Sequence, residues 1–374
     1  MKTIPLTILV SPLDWGLGHA SRMIPLIRRF VLDGHNIILA GSGRSAEILR
    51  NTFPDLRFIS LPCHTVHMGS GKHSYIQLVL QVPGLVFSVF REHRLAKKII
   101  HDEAVDIVIS DNRYGLHCRN TYSVLITHQV SPVLPAVFRW LEFPLYIIIR
   151  KLIQRFDQCW IPDFSHPEVN LSGKLSHRYR TPSNARYIGI LSRFSHPDIS
   201  CEIQPSLRYE VAVVLSGPEP QVSNFEKQMF SQLLRLKKTA ILLRGMRNQP
   251  IEISGSSPSY IHQASHLEVN AFSQVLKQAG LVISRSGYSG IMDFIALGIS
   301  AILVPSPGQS EQEYLADWLS EKGWFKCVAQ DKLDLKGIYD TSYLPVIEDN
   351  PLNSTKPDFQ FIEDLYREYN QDGY

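Results

Sequence analysis

Apolar positions in the first half of the chain fall into short β-branched runs separated by longer stretches with helical spacing. The runs Thr7–Ser11, Asn36–Ala40, Arg57–Leu61, Asp106–Ser110, Ser123–Thr127 and Cys159–Pro162 predict strands, because near-continuous apolar runs of this length suit strands buried on both faces. Between them His19–Asp33, Ser45–Asn51 and Ser74–Glu103 carry helical periodicity. The last is expected to kink or divide at Pro83-Gly84, where proline removes a donor and crowds the preceding turn. From Phe164 to Pro205 the pattern fades into Ser, Pro, His and Arg, apart from Tyr187–Leu191. It then restarts with strands at Val211–Leu215, Ala240–Leu243, Ser259–Ile261, Leu281–Ser284 and Ala301–Val304. Helices are expected at Asn224–Lys237, Asn270–Ala279, Gly290–Leu297 and Glu311–Lys322, and an amphipathic Phe359–Tyr369 closes the chain.

Strands alternating with helices predict parallel sheets with crossover helices. The expected class is α/β, with two facing Rossmann-like, doubly wound parallel-sheet domains. The limits are placed at 1–195 and 196–345, with 346–374 as a tail packing back on the first domain. One grammar occurs twice, a Gly-rich turn, a helix, a Gly and an apolar strand: GLGHASRMIPLIRRFVLDGHNIILA and RSGYSGIMDFIALGISAILV. In such sheets ligands sit at the carboxyl ends of the strands.

Composition narrows the function. A hydrophobic share of 44% over 374 residues builds sizeable cores and excludes wholesale disorder. Lysine and arginine number 38 against 35 aspartates and glutamates, a net charge of +3, which is too even for a dedicated nucleic-acid binder. Five scattered cysteines, never in CxxC spacing, fit a reducing compartment and no zinc-thiolate site. The N-terminus reads as a first strand, not a signal peptide, and no run of 18 apolar residues predicts a membrane span. A cytoplasmic protein is expected. His64, His67 and His73 lack ligand-grade companions and read as surface residues.

The loop Asp14-Trp15-Gly16-Leu17-Gly18-His19 joins the first strand to the first helix. Glycines such as Gly18 let the backbone approach a ligand, and the helix start offers unpaired N–H groups. A dinucleotide fingerprint fails, because Ser21 occupies the third glycine position and the second strand ends Ala40-Gly41-Ser42 with no acidic residue for a ribose diol. His19 stands where a general base would meet a substrate hydroxyl; the alternative is a capping or packing histidine. Asp111, at a strand end, would orient it as a dyad partner, or else forms an Asp111-Asn112-Arg113 turn. His128 ends the next strand.

In the second half, Ser284-Arg285-Ser286-Gly287-Tyr288-Ser289-Gly290 is a strand-to-helix turn of small residues. Its N–H groups suit a diphosphate, with Arg285 adding a charge-assisted contact. Asp293, two turns on, is placed to accept both hydrogens of a ribose diol. The loop Val304–Gln312 brings Gln309, Glu311 and Gln312 toward a hydroxyl-rich group. The alternative is an ordinary α/β turn. Ser216 and Gly217 open a further loop, where Pro218 and Pro220 remove two N–H donors.

GLGHASR together with RSGYSGIMDFIALGISAILVPSPGQSEQEY resembles the nucleotide-sugar glycosyltransferases of the GT-B fold, most of all family 28, which includes the N-acetylglucosaminyltransferase that makes lipid II. The motifs cover about a tenth of the chain. The resemblance implies that His19 is the base beside the acceptor, with Asp111 as its partner. It implies that Arg285, Ser286 and Gly287 hold donor phosphate, and that Asp293 stands where the family usually has a longer Glu for ribose. The sugar-reading pair falls on Glu311-Gln312 or Gln312-Glu313, Gln312 being common to both.

Val133–Asp157 is apolar and aromatic with Arg139, Arg150, Lys151 and Arg155 interspersed. It reads either as a partly buried helix pair split at Pro144 or as a peripheral contact with an anionic membrane at its inner face. The expected activity is an inverting, metal-independent transfer of a sugar from a nucleoside-diphosphate donor, UDP-linked on the resemblance, to a hydroxyl acceptor that is a lipid-linked or cell-envelope glycan. No cofactor is expected. A sugar-nucleotide 2-epimerase of the same fold and a non-catalytic nucleotide-sugar or glycolipid binder are the alternatives.

Overall fold

The computed structural model describes residues 5–63, 74–195, 208–245, 258–265, 267–341 and 359–371. The chain makes two units, the first running to Arg193 and taking in the C-terminal helix, the second beginning at Phe194.

The first unit runs β1 (Thr7–Pro12), α1 (Leu17–Leu32), β2 (Asn36–Gly41), α2 (Gly43–Thr52), β3 (Arg57–Ser60), α3 (Ser74–Asp102), β4 (Ile107–Asp111), β5 (Tyr122–Ile126), a 3-10 helix (Ala136–Leu141), α4 (Glu142–Ile153), β6 (Gln158–Ile161), α5 (Lys174–His177) and β7 (Ala185–Tyr187). Its strands pair in parallel in the order β3-β2-β1-β4-β5-β6-β7. The chain winds one way from β1 to β3 and the other way from β4, so the switch point lies between β1 and β4.

Side chains alternate between the two faces of this sheet, as strand geometry requires. Ile8, Val10, Ile37, Leu39, Ile107 and Ile109 pack on one side with Met23, Ile27 and Phe30 of α1. Leu9, Ile38, Ala40 and Val108 pack on the other with Ala96 and Ile100 of α3. Both layers are therefore apolar, which is why the strands read as unbroken hydrophobic runs.

The second unit runs β8 (Val211–Val214), α6 (Gln221–Leu236), β9 (Ala240–Leu243), β10 (Ile261–Ala264), α7 (Val269–Gln278), β11 (Leu281–Ser284), α8 (Tyr288–Leu297), β12 (Ile302–Leu303), α9 (Ser310–Glu321), β13 (Lys326–Cys327), a 3-10 helix (Gln330–Lys332) and α10 (Leu335–Asp340). Its parallel order is β10-β9-β8-β11-β12-β13, with the switch point between β8 and β11. The last element, α11 (Gln360–Gln371), sets Phe361, Ile362, Leu365 and Tyr369 into the core of the first unit against Trp160 and its neighbours.

Three expectations change. α3 runs as one helix through Pro83 and Gly84. The boundary in the 133–157 segment falls between Leu141 and Glu142, with Pro144 inside the first turn of α4, where its missing N–H has no helical acceptor to lose. The strand expected at Ser259–Ile261 is Ile261–Ala264. His64, His67 and His73 lie outside the described residues. Among the described residues the four cysteines are free, no helix is long and apolar enough to cross a membrane, and no group of three His, Cys, Asp or Glu is set to hold a metal.

Candidate functional site

In the first unit the loop from β1 to α1 is tied to the start of α2. Asp14 accepts the Ser45 N–H at 3.1 Å, and the Ser45 hydroxyl donates to the Leu13 carbonyl at 3.1 Å. Gly43 (φ 59°) permits this approach, since a Cβ there would stand 1.8 Å from an Asp14 oxygen. The loop so fixed delivers Gly18 and His19 in the first turn of α1. Asp111 closes β4 directly beside Pro12 of β1. The two sequence candidates thus stand on either side of the switch point, and they touch: His19 Nδ1 lies 3.0 Å from Asp111 Oδ2.

A third group completes the cluster. Arg22, one turn beyond His19, donates from Nε to Asp111 Oδ2 at 2.8 Å and from its terminal nitrogen to Asp111 Oδ1. That same terminal nitrogen lies 2.9 Å from His19 Nδ1, and the other lies 3.4 Å from His128 Nδ1. Asp111 and Arg22 are wholly buried, whereas the His19 side chain is 19% exposed. Burial would raise the Asp111 carboxyl, but the Arg22 charge, the His19 ring and their hydrogen bonds outweigh it and hold it down at about 2. Asp111 is therefore a carboxylate at all ordinary pH values, paired with a buried guanidinium, and only the imidazole has an edge open to a substrate.

In the second unit the candidates collect at the carboxyl ends of β8, β11 and β12. Gly287 caps α8, whose first turn carries no acidic residue, and its first N–H groups have no carbonyl within the helix. Gln309 caps α9. The Ser286 hydroxyl donates to the Gln312 carbonyl at 2.8 Å, while the Gln312 side chain accepts the Ser306 N–H at 3.0 Å. Gln309 donates to the Gln221 side chain at 3.0 Å, and Glu313 accepts the Gly308 N–H at 2.8 Å. Ser286, Gln309, Gln312 and Gln221 thus form one polar cluster that holds the β12–α9 loop. Glu311 lies in the first turn of α9 and Asp293 is buried on α8. Ser216 and Gly217 (φ 115°) follow β8.

Arg285 differs from expectation. It is 1% exposed and donates to the carbonyls of Val304, Pro305 and Gln221 at 3.2, 3.1 and 3.4 Å and to the Gln330 side chain at 2.9 Å. Its guanidinium lies 3.9 Å over the Phe225 ring, and burial lowers its pKa to about 10. The side chain points into the unit and ties the start of the β12–α9 loop to the start of α6 and to the 3-10 helix at Gln330, so it does not reach out to a phosphate. Arg22, Gln221 and Gln330 join the site only in the structure. The i, i+3 spacing puts Arg22 on the helix face of His19, but that spacing alone does not show that the face turns inward to Asp111.

Comparison with known proteins bears on the fold and the activity. Residues 228–348 match the family described as glycosyltransferase family 28 C-terminal domain. An uncharacterized glycosyltransferase of Methanosarcina acetivorans is 23% identical over 325 residues, 83% of this chain and 82% of that protein. Among solved structures, Arabidopsis thaliana UGT89C1 complexed with quercetin superposes with a TM-score of 0.64 at 12% identity, covering 98% of this chain and 100% of that one. Acinetobacter baumannii MurG superposes with a TM-score of 0.56 at 11% identity, covering 97% and 100%. The structural likenesses speak for fold; the matched domain and the named relative add the activity. The chain is a glycosyltransferase of the GT-B fold whose residues 228–348 are similar to the C-terminal domain of glycosyltransferase family 28.

Proposed function

We propose that the chain transfers a sugar, with inversion and without a metal, from a nucleoside-diphosphate sugar, UDP-linked, to a hydroxyl acceptor. The observation that carries this is the His19–Asp111 contact at 3.0 Å astride the β1/β4 switch point. The acceptor hydroxyl gives its proton to His19 Nε2 as its oxygen bonds to the anomeric carbon. The bond from that carbon to the diphosphate breaks, and its electron pair leaves with the diphosphate. One displacement with the base opposite the leaving group inverts the centre.

The N–H groups opening α8, where no acidic residue competes, suit the diphosphate of the donor and the charge it gains on leaving. That preorganised charge does the work a divalent ion would otherwise do. The start of α9 carries Glu311 and Glu313 and suits sugar hydroxyls, not phosphate, with Gln309 and Gln312 beside them. Asp293 is assigned to the ribose diol. Arg285 supports the site by fixing the loops.

A lipid-linked acceptor at an anionic surface is favoured by the 133–157 segment. Val137 is 77% and Trp140 73% exposed, with Phe143 and Ile148 also exposed, among Arg139, Arg150, Lys151 and Arg155. Buried Glu142, bonded to Arg178 and to the Leu134 N–H at 2.9 Å, anchors the segment from beneath. Co-sedimentation with vesicles containing phosphatidylglycerol, but not with pure phosphatidylcholine, is expected, and Trp140→Ala with Phe143→Ala should abolish it.

The deciding experiment incubates the purified chain with a panel of nucleotide sugars, with and without candidate acceptors. Release of nucleoside diphosphate that depends on acceptor supports transfer. An epimerised donor formed without acceptor would support the 2-epimerase instead, and donor binding with neither product would leave a binding protein.

A further inference from the structure

The Nδ1 atom of His19 sits between two groups that want opposite things from it. Asp111 Oδ2 at 3.0 Å accepts the Nδ1–H and draws the ring toward the charged form, whereas the Arg22 guanidinium, 2.9 Å from the same atom, brings a positive charge that opposes it. A carboxylate alone at this distance favours the charged imidazolium. Here the carboxylate already takes two hydrogen bonds from a guanidinium that is itself buried, so the field it casts at the ring is largely cancelled.

We infer that Arg22 is a positioning residue that offsets the Asp111 charge at the His19 ring, so that Asp111 orients the imidazole without removing its capacity to take a proton at Nε2. The functional meaning rests on His19 being the transfer base. The electrostatic claim does not, because it concerns the resting first unit alone. The other groups facing the cluster are His128 after β5, whose Nδ1 lies 3.4 Å from Arg22, and Tyr114 after β4, which also feels the Asp111 charge and bonds to Thr127. Among the described residues, Arg22 and Asp111 carry the formal charges that contact the ring.

The test reads the proton directly and needs no substrate. The full chain is labelled with 15N-histidine, and long-range 1H–15N spectra are followed against pH. His19→Asn and His128→Asn difference spectra assign the two rings. In Arg22→Gln the His19 midpoint should rise by about 1–3 pH units, the shift an unopposed neighbouring charge produces, while Arg22→Lys should stay close to wild type. A folded Arg22→Gln protein with an unmoved midpoint overturns the inference; a residue that only packs would give that result.

Arg22→Gln leaves Asp111 buried without its partner, so a second variant guards against misfolding. Arg22→Gln with Asp111→Asn removes both charges, and the midpoint should return to the wild-type value. A midpoint about one unit or more below wild type in that protein means that Arg22 does not offset Asp111, and overturns the inference equally. A shifted midpoint in a chain that transfers no sugar would refute the proposed function while leaving the role of Arg22 in place. An active enzyme with unmoved midpoints would do the reverse.

Discussion

Asp111→Asn keeps the shape of the buried cluster and deletes its negative charge, so its effect on stability can be worked out with a sign. The native carboxyl is lowered from 3.8 to about 2. At 1.36 kcal/mol per unit this amounts to roughly 2 kcal/mol of native stability. Because the folded pKa is depressed, that contribution is complete above about pH 4 and is lost as pH falls through the folded value. At neutral pH the variant also leaves the Arg22 charge buried and unpaired, and breaking a buried pair in this way typically costs about 3–5 kcal/mol. The gap between wild type and Asp111→Asn should therefore be several kcal/mol at pH 6, narrow by about 1 kcal/mol at pH 3, and narrow by about 2 kcal/mol near pH 2. Urea unfolding is the assay, since guanidinium would screen the charges. Replacing Trp318 and Trp324 by Phe confines tryptophan fluorescence to Trp15, Trp140 and Trp160 of the first unit. A gap that stays constant from pH 6 to pH 3 would show that the carboxylate is not held by Arg22 and His19 as described.

Leu365→Ala removes a wholly buried side chain that α11 sets into the first unit; it should cost about 2–5 kcal/mol in urea unfolding followed through Trp160. Burial, then the neighbouring His93, Arg155 and Lys97, push His117 from 6.5 down to about 4. The unfolded chain therefore binds its proton first, stability climbs between about pH 4 and 6.5, and His117→Asn should flatten that rise. Gly43→Ala meets both a positive φ and the Asp14 carboxylate, and should lower the melting temperature by the few degrees that about 1–3 kcal/mol of local strain implies.

Much of the fold is legible in the sequence because both sheets are buried on two faces. Ala240–Leu243 and Leu281–Ser284 are strands with the limits their apolar runs suggest. What fails has a local cause. β10 reads Ile-His-Gln-Ala and β13 is two residues at a sheet edge, so neither offers an apolar run to detect. Pro144 looks like a break but sits in a first turn, where proline is tolerated. At the site, His19 and Asp111 are legible because strand ends in a doubly wound sheet converge. The inward turn of Arg285 is not, since a guanidinium can answer either a phosphate or a set of backbone carbonyls, and only the packing of β12, α6 and Gln330 decides between them. Arg22 hides for the opposite reason: an arginine on an amphipathic helix ordinarily faces solvent, and its burial follows from the carboxylate waiting at the end of β4.

The central claim is that His19 takes the acceptor proton while the donor is held by the second unit. Donor affinity and single-turnover transfer by His19→Ala, measured side by side with wild type, test it most directly. The account predicts donor binding unchanged and turnover reduced at least about a hundredfold. Turnover near the wild-type rate in a folded His19→Ala protein would contradict it.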